Sequence, residues 1–310
     1  MTRPSAPTLP PASTGSDNRK GAAFMVGSMT FFVLNDAFMK ALGAEWPLFQ
    51  SLFIRGIGVV LVMLVLAAAL GQLTVRLPRR DWLILLIRTL CEMGAAYFFI
   101  SAIFNMPLAD ATTIMQSLPL TITMAGALFL GERVGPRRWA AIGVGFVGVI
   151  LIVRPGFEGF SIYSVYVLIT VVLITLRDMA VRQMSRSVPT VLTALLSAFG
   201  VMLLGAVGSV GEVWAPFSLT TVFALGGAIA TVIVAYICSV SAMRWGDIGF
   251  VAPYRYTSIV VALIIGFAFF NEVPDRMTLI GAAIIVVTGL YTLYREQKLI
   301  RDEAPDDTPG

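Results

Sequence analysis

Seven ionisable side chains sit inside long apolar runs of this 310-residue chain: Arg55, Arg88, Arg177 and Arg255, with Asp36, Glu92 and Asp178. A charge at the centre of a bilayer costs about 2.5–3.5 kcal/mol on insertion scales, so such residues face a cavity or one another. Arg255 is the most isolated of them. It lies just after Pro253, between Tyr254 and Tyr256, and its nearest acid along the chain, Asp247, is eight residues back. Proline removes one helix hydrogen bond and can kink the helix, which turns this stretch toward a polar cavity. An arginine so placed needs a carboxylate from another helix or from a ligand, and Glu92 and Asp36 are the candidate partners. A fixed interhelical ion pair is the alternative to a ligand site. The two tyrosines cannot share the helix face of Arg255. A ring turned to the cavity could stack on a flat ligand or hold a cation over its face.

Arg88 and Glu92 are four residues apart and share one helix face. They form either a self-neutralising pair or a cavity wall that exchanges partners with a charged substrate. Asn35 and Asp36 precede Lys40 in another apolar run. Arg177 and Asp178 are adjacent and point about 100° apart on a helix, so a structural role is expected for both. Arg55 stands in a Val/Leu-rich helix expected to be peripheral, with Asp36 as a possible structural partner. Gln116, Tyr97 and Tyr236 are the remaining polar or aromatic candidates. Met115, beside Gln116, is expected in the core. The candidate binding set is therefore Arg255, Tyr254, Tyr256, Glu92, Arg88, Asp36, Asn35, Gln116, Tyr97 and Tyr236.

Several chemistries have no residues to run on. The chain has no histidine, which removes the commonest metal ligand and proton shuttle. No Cys/His ligand set is present, so neither a metal nor a cofactor is expected. Cys91 and Cys238 lie in apolar runs and read as small apolar side chains. There is no glycine-rich phosphate loop of the ATP-binding kind and no nucleophile–histidine pairing. The net charge of +4 comes from short loops, where membrane topology explains it, and does not point to nucleic acid. A small-molecule metabolite is the expected partner, beside membrane lipid. A membrane enzyme or an assembly factor is the competing class.

The elements that must position these residues are transmembrane helices. Hydrophobic residues make up 57% of the chain and charged residues 13%, about half the usual charged share of soluble domains. With a mean hydropathy of +0.86, this predicts an all-α polytopic membrane protein. Ten runs are long enough to cross a bilayer: 21–42, 47–70, 82–104, 108–130, 137–153, 160–182, 189–210, 219–243, 247–270 and 277–294. Residues 1–20 are Pro/Ser/Thr-rich and are expected to be a disordered tail with no cleavable signal peptide; residues 295–310 form a second tail. With the N-terminus inside, fifteen Lys/Arg fall on inner segments and three (Lys40, Arg154, Arg276) on outer ones. That bias predicts both termini in the cytoplasm and an inner-membrane location.

Two halves repeat, at 21–153 and 160–294. Asn35-Asp36 with Lys40 matches Arg177-Asp178 with Arg182, each an acid followed four residues on by a base. Ala109-Asp110 and Gly246-Asp247 open corresponding runs, which lead to Glu132 and Glu272 and then to Gly-rich helices. Five spans per half is odd, so the second half enters the membrane from the opposite side. Inverted repeats are the usual build of carriers that alternate access around a midplane site. The small residues of the last helices, Gly143, Gly145 and Gly148 with Gly281 and Gly289, predict close helix packing within the chain or, alternatively, a homodimer.

On these features the chain resembles the drug/metabolite transporter superfamily, and within it the EamA-type repeat. The residues that carry the likeness are Leu108-Ala109-Asp110-Ala111 opening the fourth span and the Gly131-Glu132 loop before a Gly-rich helix. It covers about residues 20–295. Ala252-Pro253-Tyr254-Arg255-Tyr256, followed by Asn271-Glu272-Val273-Pro274-Asp275, is similar to a branch that includes S-adenosylmethionine uptake carriers, and riboflavin importers are similar too. The resemblance implies a basket of helices around a central cavity, lined mainly by spans 1, 3, 4, 6, 8 and 9.

Overall fold

A computed structural model describes residues 15–71, 77–131, 134–156, 160–185, 188–246 and 248–302. Glu132, Arg133, Arg186, Asp247 and most of the two expected tails lie outside these residues. The described chain is helical, as a lipid environment requires, because a helix satisfies its own backbone polar groups. The helices are α1 (Gly15–Gly43), α2 (Leu48–Ala69), α3 (Arg79–Asn105), α4 (Leu108–Met115), α5 (Leu118–Phe129), α6 (Pro136–Val153) and α7 (Ile162–Arg182). They continue with α8 (Thr190–Gly208), α9 (Leu219–Trp245), α10 (Ile248–Val251), a 3-10 turn at Ala252–Tyr256, α11 (Thr257–Phe270) and α12 (Arg276–Asp302). Among the described residues nine helical stretches are long and apolar enough to cross a membrane. α4 and α5 in series make the tenth crossing. Two expected boundaries move. α1 begins at Gly15, inside the stretch expected as tail, and α12 runs to Asp302 rather than ending near 294.

Local chemistry sets the ends. Ser218 caps α9 in a reciprocal box with Thr221 (3.1 and 2.9 Å). Asp275 caps α12 by accepting from Thr278 N at 2.8 Å. Two crossings are interrupted. The fourth breaks at Gln116-Ser117, just before Pro119, and the ninth runs through the 3-10 turn that contains Pro253. Pro119 sits at the start of α5 and Pro253 at the start of the 3-10 turn, where the missing N–H costs least.

Packing follows a two-fold rule. α1 lies against α9 and α3 against α7, while α2 pairs with α8, α6 with α12 and α4 with α11. In span numbers, 1 with 8 becomes 6 with 3 when the halves are exchanged, and 2 with 7, 4 with 9 and 5 with 10 map onto themselves. The small residues serve this packing. A Cβ on Gly281 would stand 2.6 Å from Gly148 O, so α6 and α12 touch backbone to backbone. Gly143 points to open space.

The main hydrophobic cluster fills one end of the bundle. Its most deeply buried members include Met39, Leu42, Ile103, Leu108, Ile114 and Ile285, each at 0% exposure. They come from the end of α1 and of α3, from α4, and from the first half of α12. This is the end to which the α3–α4 turn and the loop before α12 belong. Among the described residues, the opposite end holds a small cluster of Met25, Ala242 and Val251.

Candidate functional site

The packed end is also tied by charge. Lys40 at the end of α1 meets Glu272 at 2.7 Å, with side-chain exposures of 13% and 14%. Lys40 also donates to Met106 O. The other oxygen of Glu272 accepts from Leu108 N at 2.8 Å, a carboxylate on the free N–H of a helix start. One ion pair thus joins α1, the α3–α4 turn and the loop after α11. Nearby, Gln50 bonds Ala215 through both its amide atoms, each at 2.9 Å. Arg154 pairs with Asp275, and this guanidinium holds the Asp275 carboxyl down at about 2.

Away from that end, α2, α3, α8 and α9 enclose a cavity of about 140 Å³. Arg55, Arg88, Glu92, Ser197 and Tyr236 supply its polar wall, and Gly56 and Ala96 are among its small apolar members. Arg55 donates to Asn35 Oδ1 at 3.0 Å, and Asn35 in turn donates to Asp36 Oδ1 at 2.9 Å. Arg88 donates to Ser197 Oγ and to Thr193 O at 3.3 Å. Glu92 accepts from Arg177 Nη1 at 2.8 Å. Arg177 bonds Asp178 as well, also at 2.8 Å. Tyr236 meets the Phe32 ring edge-on, with centroids 5.4 Å apart.

A second polar junction lies where the interrupted crossings meet. Gln116 Nε2 donates to Arg255 O at 2.6 Å and to Ser258 Oγ. The amide of one break thus satisfies a carbonyl freed by the other. Arg255 makes no ion pair within 4 Å among the described residues, and Asp178 is the carboxylate whose field reaches it.

The expected site residues therefore divide. Arg88, Glu92 and Tyr236 come together on the cavity wall, and Asn35 and Asp36 stand one and two steps behind it. The others do not converge there. Gln116 is 7% exposed and works as a clasp between α4 and α11. Tyr97 stacks on Phe49 at 5.8 Å in an aromatic layer. Tyr254 is exposed beside Phe250. Tyr256 is buried and fills the space that Gly289 leaves. The expected partners of Arg255, Glu92 and Asp36, are held by Arg177 and Asn35.

Arg88 and Glu92 share a face and line the cavity but do not pair, because α7 presents Arg177 to Glu92 and α8 presents Ser197 to Arg88. Arg177 and Asp178, for which a structural role was expected, bond each other because the long arginine side chain folds back over its neighbour. This cavity is walled by spans 2, 3, 7 and 8, of which 3 and 8 were among the expected lining. Arg55, expected on a peripheral helix, is thereby a cavity residue, and Ser197 was missed. The i, i+4 pair Thr193 and Ser197 in the apolar run of α8 was the signal that could have found that face.

Similar proteins agree with this architecture. The pattern of the EamA-like transporter family matches residues 19–154 and again 161–294. A protein named S-adenosylmethionine uptake transporter from Rickettsia conorii is 25% identical over 90% of this chain and 94% of its own length. A pseudopaline exporter from Pseudomonas aeruginosa is 29% identical over 88% of this chain and 95% of its own. A riboflavin transporter from Rhizobium johnstonii is 24% identical over 66% of this chain and 68% of its own. One solved structure superposes with a TM-score of 0.62 at 21% identity, covering 91% of this chain and 99% of that one, which speaks for the fold. Two tandem matches over a ten-crossing helical bundle with paired interruptions place this chain in the EamA-like transporter family, as a membrane transporter rather than an enzyme.

Proposed function

We propose that the chain is a secondary carrier of the bacterial inner membrane that takes up S-adenosylmethionine by alternating access, with both termini in the cytoplasm. The observation that carries this reading is the charged wall of a cavity between apolar helices, in a bundle whose packed end is tied by Lys40–Glu272. The substrate has a carboxylate, an ammonium, a sulfonium and a flat base. In this reading Arg55 and Arg88 take the first, Glu92 on the same wall and Asp36 behind Asn35 answer the cations, and Tyr236 offers an aromatic face. The relatives named for S-adenosylmethionine uptake span nearly the whole chain, which favours this substrate. By the lysine and arginine count, the packed end is extracytoplasmic. A cavity of about 140 Å³ lies below the roughly 300–1,000 Å³ of ligand pockets, so admission requires the bundle to open further.

Export of a small metabolite is the second reading. It is favoured by the pseudopaline exporter, whose identity of 29% exceeds that of the uptake relatives. Uptake of labelled S-adenosylmethionine into cells expressing the chain decides between them. Accumulation above empty-vector cells is expected. With protein present in the membrane, no accumulation would remove S-adenosylmethionine uptake, and faster loss from preloaded cells would favour export.

A further inference from the structure

We infer that the cavity between α2, α3, α8 and α9 is a carboxylate site gripped by the guanidinium groups of Arg55 and Arg88. This rests on the transport reading and names the chemical group its substrate must carry.

Each guanidinium is held from behind by neutral groups. Arg55 has Asn35 Oδ1, and Arg88 has Ser197 Oγ and Thr193 O. Neither has an acid within 4 Å among the described residues, and the Nε atoms of both are buried with no partner. Arginine carries five N–H donors in a flat fork, so most of the donor capacity of this pair is unused. Glu92, the acid on the same wall, is committed to Arg177. Two arginines thus line one cavity with no carboxylate in contact with either guanidinium among the described residues.

A carboxylate offers two coplanar oxygens that match the guanidinium fork. A neutral flat ligand would leave every free donor unmet. The small side chains that also line the cavity, Ala96 and Ala198, leave room for the rest of an otherwise apolar or cationic molecule.

The test uses the full chain in lipid nanodiscs and a library of metabolites presented in pairs, each carboxylate with its carboxamide or decarboxylated form. S-adenosylmethionine and decarboxylated S-adenosylmethionine make the first pair. Binding is read by thermal stabilisation and by equilibrium titration. The carboxylate member is expected to bind roughly 10- to 100-fold more tightly, the range for charged hydrogen bonds. Arg55→Gln and Arg88→Gln should each shrink that ratio toward one, while Arg88→Lys should keep part of it. The denaturation midpoint without ligand checks that each variant folds. Equal binding of both members to the unmodified protein overturns the clamp and leaves the transport reading standing. Binding by neutral ligands alone does the same. No binding by any member of the library, carboxylate or neutral, overturns the clamp and the transport reading together.

Discussion

Arg177 holds the cavity wall in place, and Arg255 does not take part in it. Arg177 binds Glu92 and Asp178 at 2.8 Å each, with 23% of its side chain exposed, whereas Arg255 has no ion pair within 4 Å among the described residues. Removing one partner of a buried pair costs about 3–5 kcal/mol, and the partial exposure here lowers that to about 2–3 kcal/mol. Arg177→Gln should therefore lower the thermal denaturation midpoint clearly, and Arg255→Gln should change it little or raise it. The reverse order would mean that the network has been assigned to the wrong arginine. All seven mid-span charges were legible in the sequence, because a charge in an apolar run is conspicuous. Their partners were not. Arg88 shares a helix face with Glu92, yet bonds Ser197 on α8, because long side chains choose among neighbours that only the tertiary packing supplies.

At the scale of elements, the ten crossings were readable from hydropathy and the interruption of the ninth from Pro253, whereas the break of the fourth beside Pro119 was not foreseen. What meets at each interruption was not readable, since Gln116 and Arg255 O are 139 residues apart. The expected small-residue packing is visible in detail where α6 meets α12. A Cβ on Gly281 would stand 2.6 Å from Gly148 O, and backbone cannot yield as a flexible side chain can. Gly281→Ala should cost about 1–3 kcal/mol, the range for overpacking. Gly143→Ala meets nothing within 4 Å, and in a helix it should be neutral or stabilising by up to about 1 kcal/mol. Thermal denaturation of the two variants in one detergent compares them directly. Equal losses would place the close contact elsewhere.

For the whole molecule, the uneven distribution of the core decides which way the bundle can open. The cluster around Met39, Leu42, Ile103 and Leu108 closes one end, and Lys40–Glu272 crosses the same region. The other end has three buried apolar residues in its cluster. Exchange of the two halves maps each of the five main helix pairs onto a pair that also exists, so a mirror state with the opposite end closed keeps those five pairings. The ion pair is then a term that favours the present state over its mirror. Each 1.4 kcal/mol removed shifts such an equilibrium tenfold. Lys40→Met leaves Glu272 with Leu108 N alone and should raise the open population at that end by at least about tenfold. Ala198 lines the cavity, so Ala198→Cys in a chain with Cys91 and Cys238 replaced by alanine reports access. A membrane-impermeant maleimide applied to proteoliposomes from the Lys40 side should label that cysteine faster when Lys40→Met is added, and more slowly from the opposite side. Unchanged rates from both sides would show that the hydrophobic cluster alone keeps this end shut and that the ion pair sits on the gate without controlling it.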